Sequence, residues 1–199
     1  EPSVGTFTPI IEWQWAVNDI HIGYDNIMSS PAIANLNDDN LDGVVNADDI
    51  PDVVFSTFAG SSYQHPGALT ALSGDGSGLL WSVMAPNDYP IYGASGVAIG
   101  DLEGDGTIEV CASSSAASVV CLNGVDGSFK WAAGAETNNY GCPAIADLEG
   151  DGTAEVIFGR TVINHDGTLR WTASGGHGGA SFMSFAVNWS GDSTLEIIA

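Results

Sequence analysis

The 199-residue sequence predicts an all-β fold, a β-propeller of four-stranded antiparallel blades, about four in number or part of a larger ring. Three observations predict it. Similar segments recur at a spacing of about 40–50 residues. Each repeat breaks into short runs rich in valine, isoleucine and alanine, separated by glycine, aspartate and asparagine turns. No stretch carries helical periodicity over ten residues.

The repeats set the element order. AIGDLEGDGTIEVCA (98–112) and AIADLEGDGTAEVIF (144–158) nearly coincide, and AVNWSGDSTLEIIA (186–199) keeps the frame with substitutions. The first copy begins as AIANLN (32–37) and ends as IPDVVF (50–55), with extra residues between. A second element ends in tryptophan: LSGDGSGLLW at Trp81, LNGVDGSFKW at Trp131 and INHDGTLRW at Trp171, with IIEWQW at the N-terminus ending at Trp15. From tryptophan to the next loop is 20, 20, 16 and 17 residues. Whole blades are therefore expected at 28–84, 93–134 and 140–174, a partial blade at 180–199 and a closing strand at 1–15. In the third blade the strands fall at roughly 141–147, 154–160, 161–165 and 168–173. Because the tryptophans recur at one repeat position, they are expected in the core.

The ends allow three arrangements. The strand at 1–15 completes the last blade of its own chain and closes a four-bladed ring, or the chain is a piece of a longer propeller. In the third arrangement that strand completes a blade of a neighbouring copy, giving a head-to-tail fibre.

Charge narrows the function. Twenty-five acidic residues face only Lys130, Arg160 and Arg170, a formal net charge of −22, which argues against nucleic acid and anionic membranes as partners. No apolar run reaches the ~20 residues needed to insert across a bilayer. The chain opens at Glu1 with no signal peptide, as a processed product would. Cys111 and Cys121 flank a small-residue turn and face each other across two strands, either as a disulfide or as two small buried thiols. Cys142 is left over and is expected to be buried.

Sixteen of the 25 acids lie in the four repeat loops. In the second loop Asp101, Glu103, Asp105 and Glu109 take positions one, three, five and nine, the Thr107 carbonyl position seven, and glycines positions four and six. Alternating oxygens around a sharp turn suit Ca²⁺, which takes six to eight oxygen ligands. Asp147, Glu149, Asp151, the Thr153 carbonyl and Glu155 repeat the pattern in the third loop. Asn188, Ser190, Asp192 and Glu196 form a degraded fourth copy, in which Asn188-Trp189-Ser190 is also a glycosylation sequon. In the first loop Asn35, Asn37 and Asp39 take positions one, three and five, and Asp52 stands where Glu109 stands in the second. The insertion between them reads as an EF-hand loop through Asp38, Asn40, Asp42, Gly43, the Val44 carbonyl, Asn46 and Asp49. About three to five calcium ions are expected in all.

The D-x-[DE]-G-D-G-x-x-E loops resemble FG-GAP/VCBS repeats, the calcium-binding blades also found in integrin α-subunit heads. The L-x-G-x-x-G-x-x-x-W element is similar, more weakly, to PQQ-like propeller repeats. The resemblance implies a secreted or cell-surface, calcium-stabilised propeller used for adhesion, ligand binding or assembly, or as a polysaccharide lyase scaffold. The family's loops usually have aspartate where Glu103, Glu109, Glu149 and Glu155 stand.

Catalysis is not expected. Calcium ligation accounts for most of the acids, and His21, His65, His165 and His177 show neither metal-ligand spacing nor a nucleophile partner. The expected role is structural or adhesive, with the chain itself as partner in a homopolymer, or an extracellular glycan or protein. The alternative is a lectin-like module using Tyr24, Tyr63, Tyr89, Tyr92 and Tyr140 near the loops.

Overall fold

The computed structural model describes residues 8–61, 63–64, 66–134, 141–174, 183–192 and 194–198. They build four antiparallel sheets in chain order. The first holds β1 (Ala32–Ala34), β2 (Asp52–Thr57), β3 (Ala68–Leu72) and β4 (Leu79–Val83). The second holds β5 (Val97–Gly100), β6 (Glu109–Ser113), β7 (Val119–Asn123) and β8 (Phe129–Ala133). The third holds β9 (Ala144–Ala146), β10 (Glu155–Phe158), β11 (Thr161–Ile163) and β12 (Leu169–Thr172). The last has only β13 (Phe185–Val187) and β14 (Glu196–Ile198). Among the described residues the one helical element is a 3₁₀ turn at Pro86–Asp88.

Each full sheet is an up-and-down meander in which consecutive strands pair antiparallel. The third and fourth strands shift register at one equivalent place, between Ala71 and Leu72, Cys121 and Leu122, and Val162 and Ile163. Such a bulge increases local twist. First strands neighbour one another: β1 packs on β5, β5 on β9 and β9 on β13.

The middle strands are buried along nearly their whole length, with apolar side chains at most of their positions. One core cluster joins the first two sheets through Leu36, Val54, Leu69, Trp81, Val110 and Leu122. A second joins the second and third sheets through Leu102, Cys111, Cys121, Val156, Phe158 and Ile163. Cys111 and Cys121 sit opposite each other on β6 and β7, Cα atoms 4.2 Å apart, joined in a disulfide. Cys142 is half-buried, and burial raises its thiol pKa.

The tryptophans tie each sheet to the next. Trp81 on β4 donates its indole N–H to the Gly124 carbonyl at 2.6 Å, and Trp131 on β8 donates to the His165 carbonyl at 2.8 Å. A β-carbon on Gly127 would come within 2.8 Å of the Trp81 ring, and one on Gly167 within 2.8 Å of Trp131, so only glycine lets the ring lie this close. Burial follows from this contact rather than from the repeat position alone: Trp81 is 5% exposed, whereas Trp171 is 41% exposed with only a two-stranded sheet beyond it.

The N-terminal segment departs from expectation in two ways. Its residue in the tryptophan frame is Trp13, whose ring lies 3.1 Å from where a Gly76 β-carbon would be; Trp15 instead makes an edge-on contact with Phe55. Residues 8–15 form no strand and pair with no edge of the last sheet. They continue into Asn18, which is fully buried and donates to Thr70 Oγ1 and Ser82 Oγ. The described part of the expected closing strand thus docks on the first sheet; residues 1–7 lie outside the described residues.

Candidate metal-binding loops

All four repeat loops join the first strand of a sheet to the second, and neighbouring loops adjoin. A β-carbon on Gly104 would overlap the Gly152 carbonyl of the third loop. A cleft of about 330 Å³ lies between the first two loops, lined by Asn35, Val44, Asp105, Thr107 and Val125 among others.

The ninth position is a backbone brace in every copy. Glu109 Oε2 accepts the Leu102 N–H at 2.9 Å, Glu155 Oε2 that of Leu148 at 3.1 Å and Glu196 Oε2 that of Trp189 at 2.7 Å. Asp52 Oδ2 accepts the Leu36 N–H at 2.7 Å, so despite the insertion Asp52 stands where Glu109 stands. Its Oδ1 accepts the Gly74 N–H at 3.1 Å. Asp52 is wholly buried, and burial pushes its carboxyl above the usual aspartate range against these backbone donors.

The first position closes the turn. Asp101 Oδ1 accepts from the N–H groups of Gly104 (2.7 Å) and Asp105 (3.1 Å), and Oδ2 from Gly106 (2.8 Å). Asp147 makes the same three bonds to Gly150, Asp151 and Gly152. Gly106 and Gly152 hold φ of +88° and +93°, the left-handed region that favours glycine. Asp105 accepts the Thr107 N–H, and Asp151 the Thr153 hydroxyl and N–H; these bonds hold both carboxyls below the usual range. In the fourth loop Asn188 Oδ1 accepts the Gly191 N–H at 2.6 Å, while its amide donates to the Asp192 carbonyl. Asn188 and Ser190 are exposed.

Sequence reasoning missed the cations at these loops. Lys130 Nζ lies 2.7 Å from Glu103 Oε2 and 2.8 Å from Glu109 Oε1. Arg170 makes a two-pronged contact with Glu149 and reaches Glu155 Oε1 at 3.1 Å. Each basic residue immediately precedes a repeat tryptophan, Trp131 or Trp171, which was the available signal. Burial alone favours a neutral Glu109, whereas the Lys130 bonds favour its charged form. With Nζ bonded to both carboxylates, the charged triad is the state this geometry supports. Burial works to lower the Lys130 pKa, but bonds to Glu103 and Glu109 outweigh it and hold it above the lysine value.

The first loop is built differently. Asn35 donates its amide to the Asn46 carbonyl, and Asn37 donates to Asp39 Oδ1 at 2.7 Å. That leaves Asn35 Oδ1, Asn37 Oδ1 and Asp39 Oδ2, at positions one, three and five, shielded from water with no hydrogen-bond partner. An unsatisfied buried oxygen costs about 1–3 kcal/mol, so three in one loop fit a bound cation. Among the described residues no three of His, Cys, Asp and Glu gather into a ready metal cluster; two of the three orphaned oxygens belong to amides.

The insertion is held by its own acidic and amide side chains. Asp38 accepts from the N–H groups of Asp42 (3.1 Å) and Gly43 (2.8 Å), with Gly43 at φ +92°. Asn40 accepts the Asp42 N–H, Asp42 the Val44 N–H, and Asp49 those of Asp39 and Asn46. Among the described residues Tyr92 is 1% exposed and Tyr89 stacks on Phe129 with ring centroids 5.9 Å apart. Tyr24 and Tyr63 are half-buried, and Tyr140 lies outside the described residues.

Nearly all of the chain superposes on part of a biofilm protein. The V. cholerae biofilm matrix protein Bap1 matches 95% of it with a TM-score of 0.76 and 27% sequence identity. The rhamnogalacturonan lyase YesW matches 84% of it with a TM-score of 0.54 and 20% identity, a likeness of fold alone. The chain spans about a third of either neighbour, 31% of Bap1 and 34% of YesW. No family model and no curated protein sequence matches it.

Proposed function

We propose that the chain is part of an extracellular, calcium-stabilised β-propeller with a non-catalytic, structural or adhesive role in a surface matrix. The observation that carries this reading is the likeness to Bap1 over nearly the whole chain. The blade interpretation is supported by three sheets of one strand order, by first strands that neighbour in series, and by Trp81 and Trp131, which each bond to the next sheet's turn. A disulfide inside the core suits an oxidising, extracellular compartment. Calcium is supported by the orphaned oxygens of the first loop. Bound there, it would be held by Asn35, Asn37 and Asp39, would relieve their unmet hydrogen bonding, and would lower the cost of −22 charges on one chain. Its partners are matrix glycans or proteins, or further copies of itself.

Co-sedimentation with extracellular matrix polysaccharide, in calcium and in EDTA, tests the reading. Retention in calcium without shortening of the polysaccharide supports it. Depolymerisation of an acidic polysaccharide, or a protein that stays soluble in both conditions, overturns it.

A further inference from the structure

The repeats vary together in a way that separates two kinds of cation site. In the second and third loops positions three and nine are both glutamate, and the residue before the repeat tryptophan is Lys130 or Arg170. In the first, position three is Asn37, position nine is Asp52, and the residue before Trp81 is Leu80. A base accompanies the second acid and is missing where an amide replaces it. Two of the chain's three basic residues serve here. The side chains of Glu109 and Glu155 are 0% and 3% exposed, so the charge they meet is that of the neighbouring lysine or arginine.

A lysine ammonium at 2.7 and 2.8 Å from two carboxylates already occupies the place between them with a positive charge, one where a divalent ion would bring two. Arg170 does the same for Glu149 and Glu155. The first loop has no such residue, and its three shielded oxygens have nothing to bond.

We propose that the second and third loops carry a resident side-chain cation, and that the chain's strongest calcium site is the first loop, held by Asn35, Asn37 and Asp39. This rests on the reading that the protein binds calcium at all, and departs from it in assigning Glu103, Glu109, Glu149 and Glu155 to Lys130 and Arg170. Calcium dependence is then concentrated in one sheet. The other two full sheets keep their loops closed without metal.

Calorimetric titration of calcium into EDTA-stripped protein, with native mass spectrometry to count ions, tests the assignment. Asp39→Ala should weaken the strongest site roughly a hundredfold, whereas Glu103→Gln and Glu149→Gln should leave it within about twofold. Asn37→Asp, which adds a carboxylate without shortening the side chain, should tighten it, and this arm stands even if Asp39→Ala fails to fold. Lys130→Met should take up one calcium more than the parent protein. Loss of the strongest site in either glutamate variant, or its persistence unchanged in Asp39→Ala, overturns the assignment. So does an unchanged ion count in Lys130→Met. A parent protein that binds no calcium overturns the calcium reading itself, a result distinct from binding that maps to the wrong loop.

Discussion

The indole N–H of Trp81 meets the Gly124 carbonyl at 2.6 Å, tying the outer strand of the first sheet to the turn between β7 and β8 of the second. The ring is buried against Gly127 and belongs to the core shared by both sheets. Trp81→Ala should therefore cost about 3–5 kcal/mol, and Trp81→Phe about 1 kcal/mol if only the hydrogen bond is lost. Trp171, in the same repeat position but 41% exposed, should cost less than about 1 kcal/mol as alanine. Urea unfolding of the three variants checks this ranking; equal losses at Trp81 and Trp171 would refute the role given to the following turn.

The disulfide replaces a packed apolar pair. Cys111 faces Cys121 where Val54 faces Ala71 in the first sheet and Ile157 faces Val162 in the third. A double variant Cys111→Val, Cys121→Ala copies the first sheet, so it should lose the cross-link and little packing. For a closed loop with a separation of ten residues the chain-entropy loss is about 2–3 kcal/mol. The expected outcome is a lower urea midpoint with an unchanged far-ultraviolet spectrum; a midpoint at or above the parent's contradicts it.

The four sheets were legible because a repeat encodes its strands several times. The loops at 98–112 and 144–158 fixed their frame by mutual agreement, and Asp52 could be placed across a long insertion by its position before Val53-Val54. The N-terminal frame was read two residues late. Trp13 and Trp15 fall on the same face of an extended chain, so alternation alone cannot choose between them. Only the contact with Gly76 does so. The Lys130 and Arg170 triads were missed because a base and two acids 15 to 27 residues away become neighbours only once the sheet has folded. Tyr92, expected to serve a lectin-like surface, is 1% exposed, and its position after an irregular turn gave no strand alternation from which to read that.

Asp52 should show an acid-range titration of unusual sign. Its folded-state pKa is raised above 3.8, chiefly by burial. Between 3.8 and that raised value the folded chain holds a proton that the unfolded chain has released. The stability Asp52 contributes is therefore greatest below 3.8 and declines as pH rises through the folded pKa. Carboxyl ¹³C shifts in EDTA should place its midpoint above the usual aspartate range, and calcium should move it down. A midpoint below 3.8 in EDTA would contradict burial as the dominant influence.

Calcium removal should loosen the first sheet before the others. A ligand that binds only the folded chain stabilises it by about 2.7 kcal/mol at a hundred times its Kd, so EDTA should lower the thermal midpoint clearly at low ionic strength. Hydrogen exchange resolves where the loss falls. Amides between Asn35 and Asp52 depend on Asp38, Asp49 and Asp52 for their hydrogen bonds and lie beside the orphaned oxygens, so they should exchange faster in EDTA. Those of Gly104 and Gly106, or Gly150 and Gly152, bond directly to Asp101 or Asp147 in loops with their own lysine or arginine, and should change little. An unchanged midpoint argues against calcium; a midpoint that falls with exchange rising equally in all three loops argues against its concentration in the first.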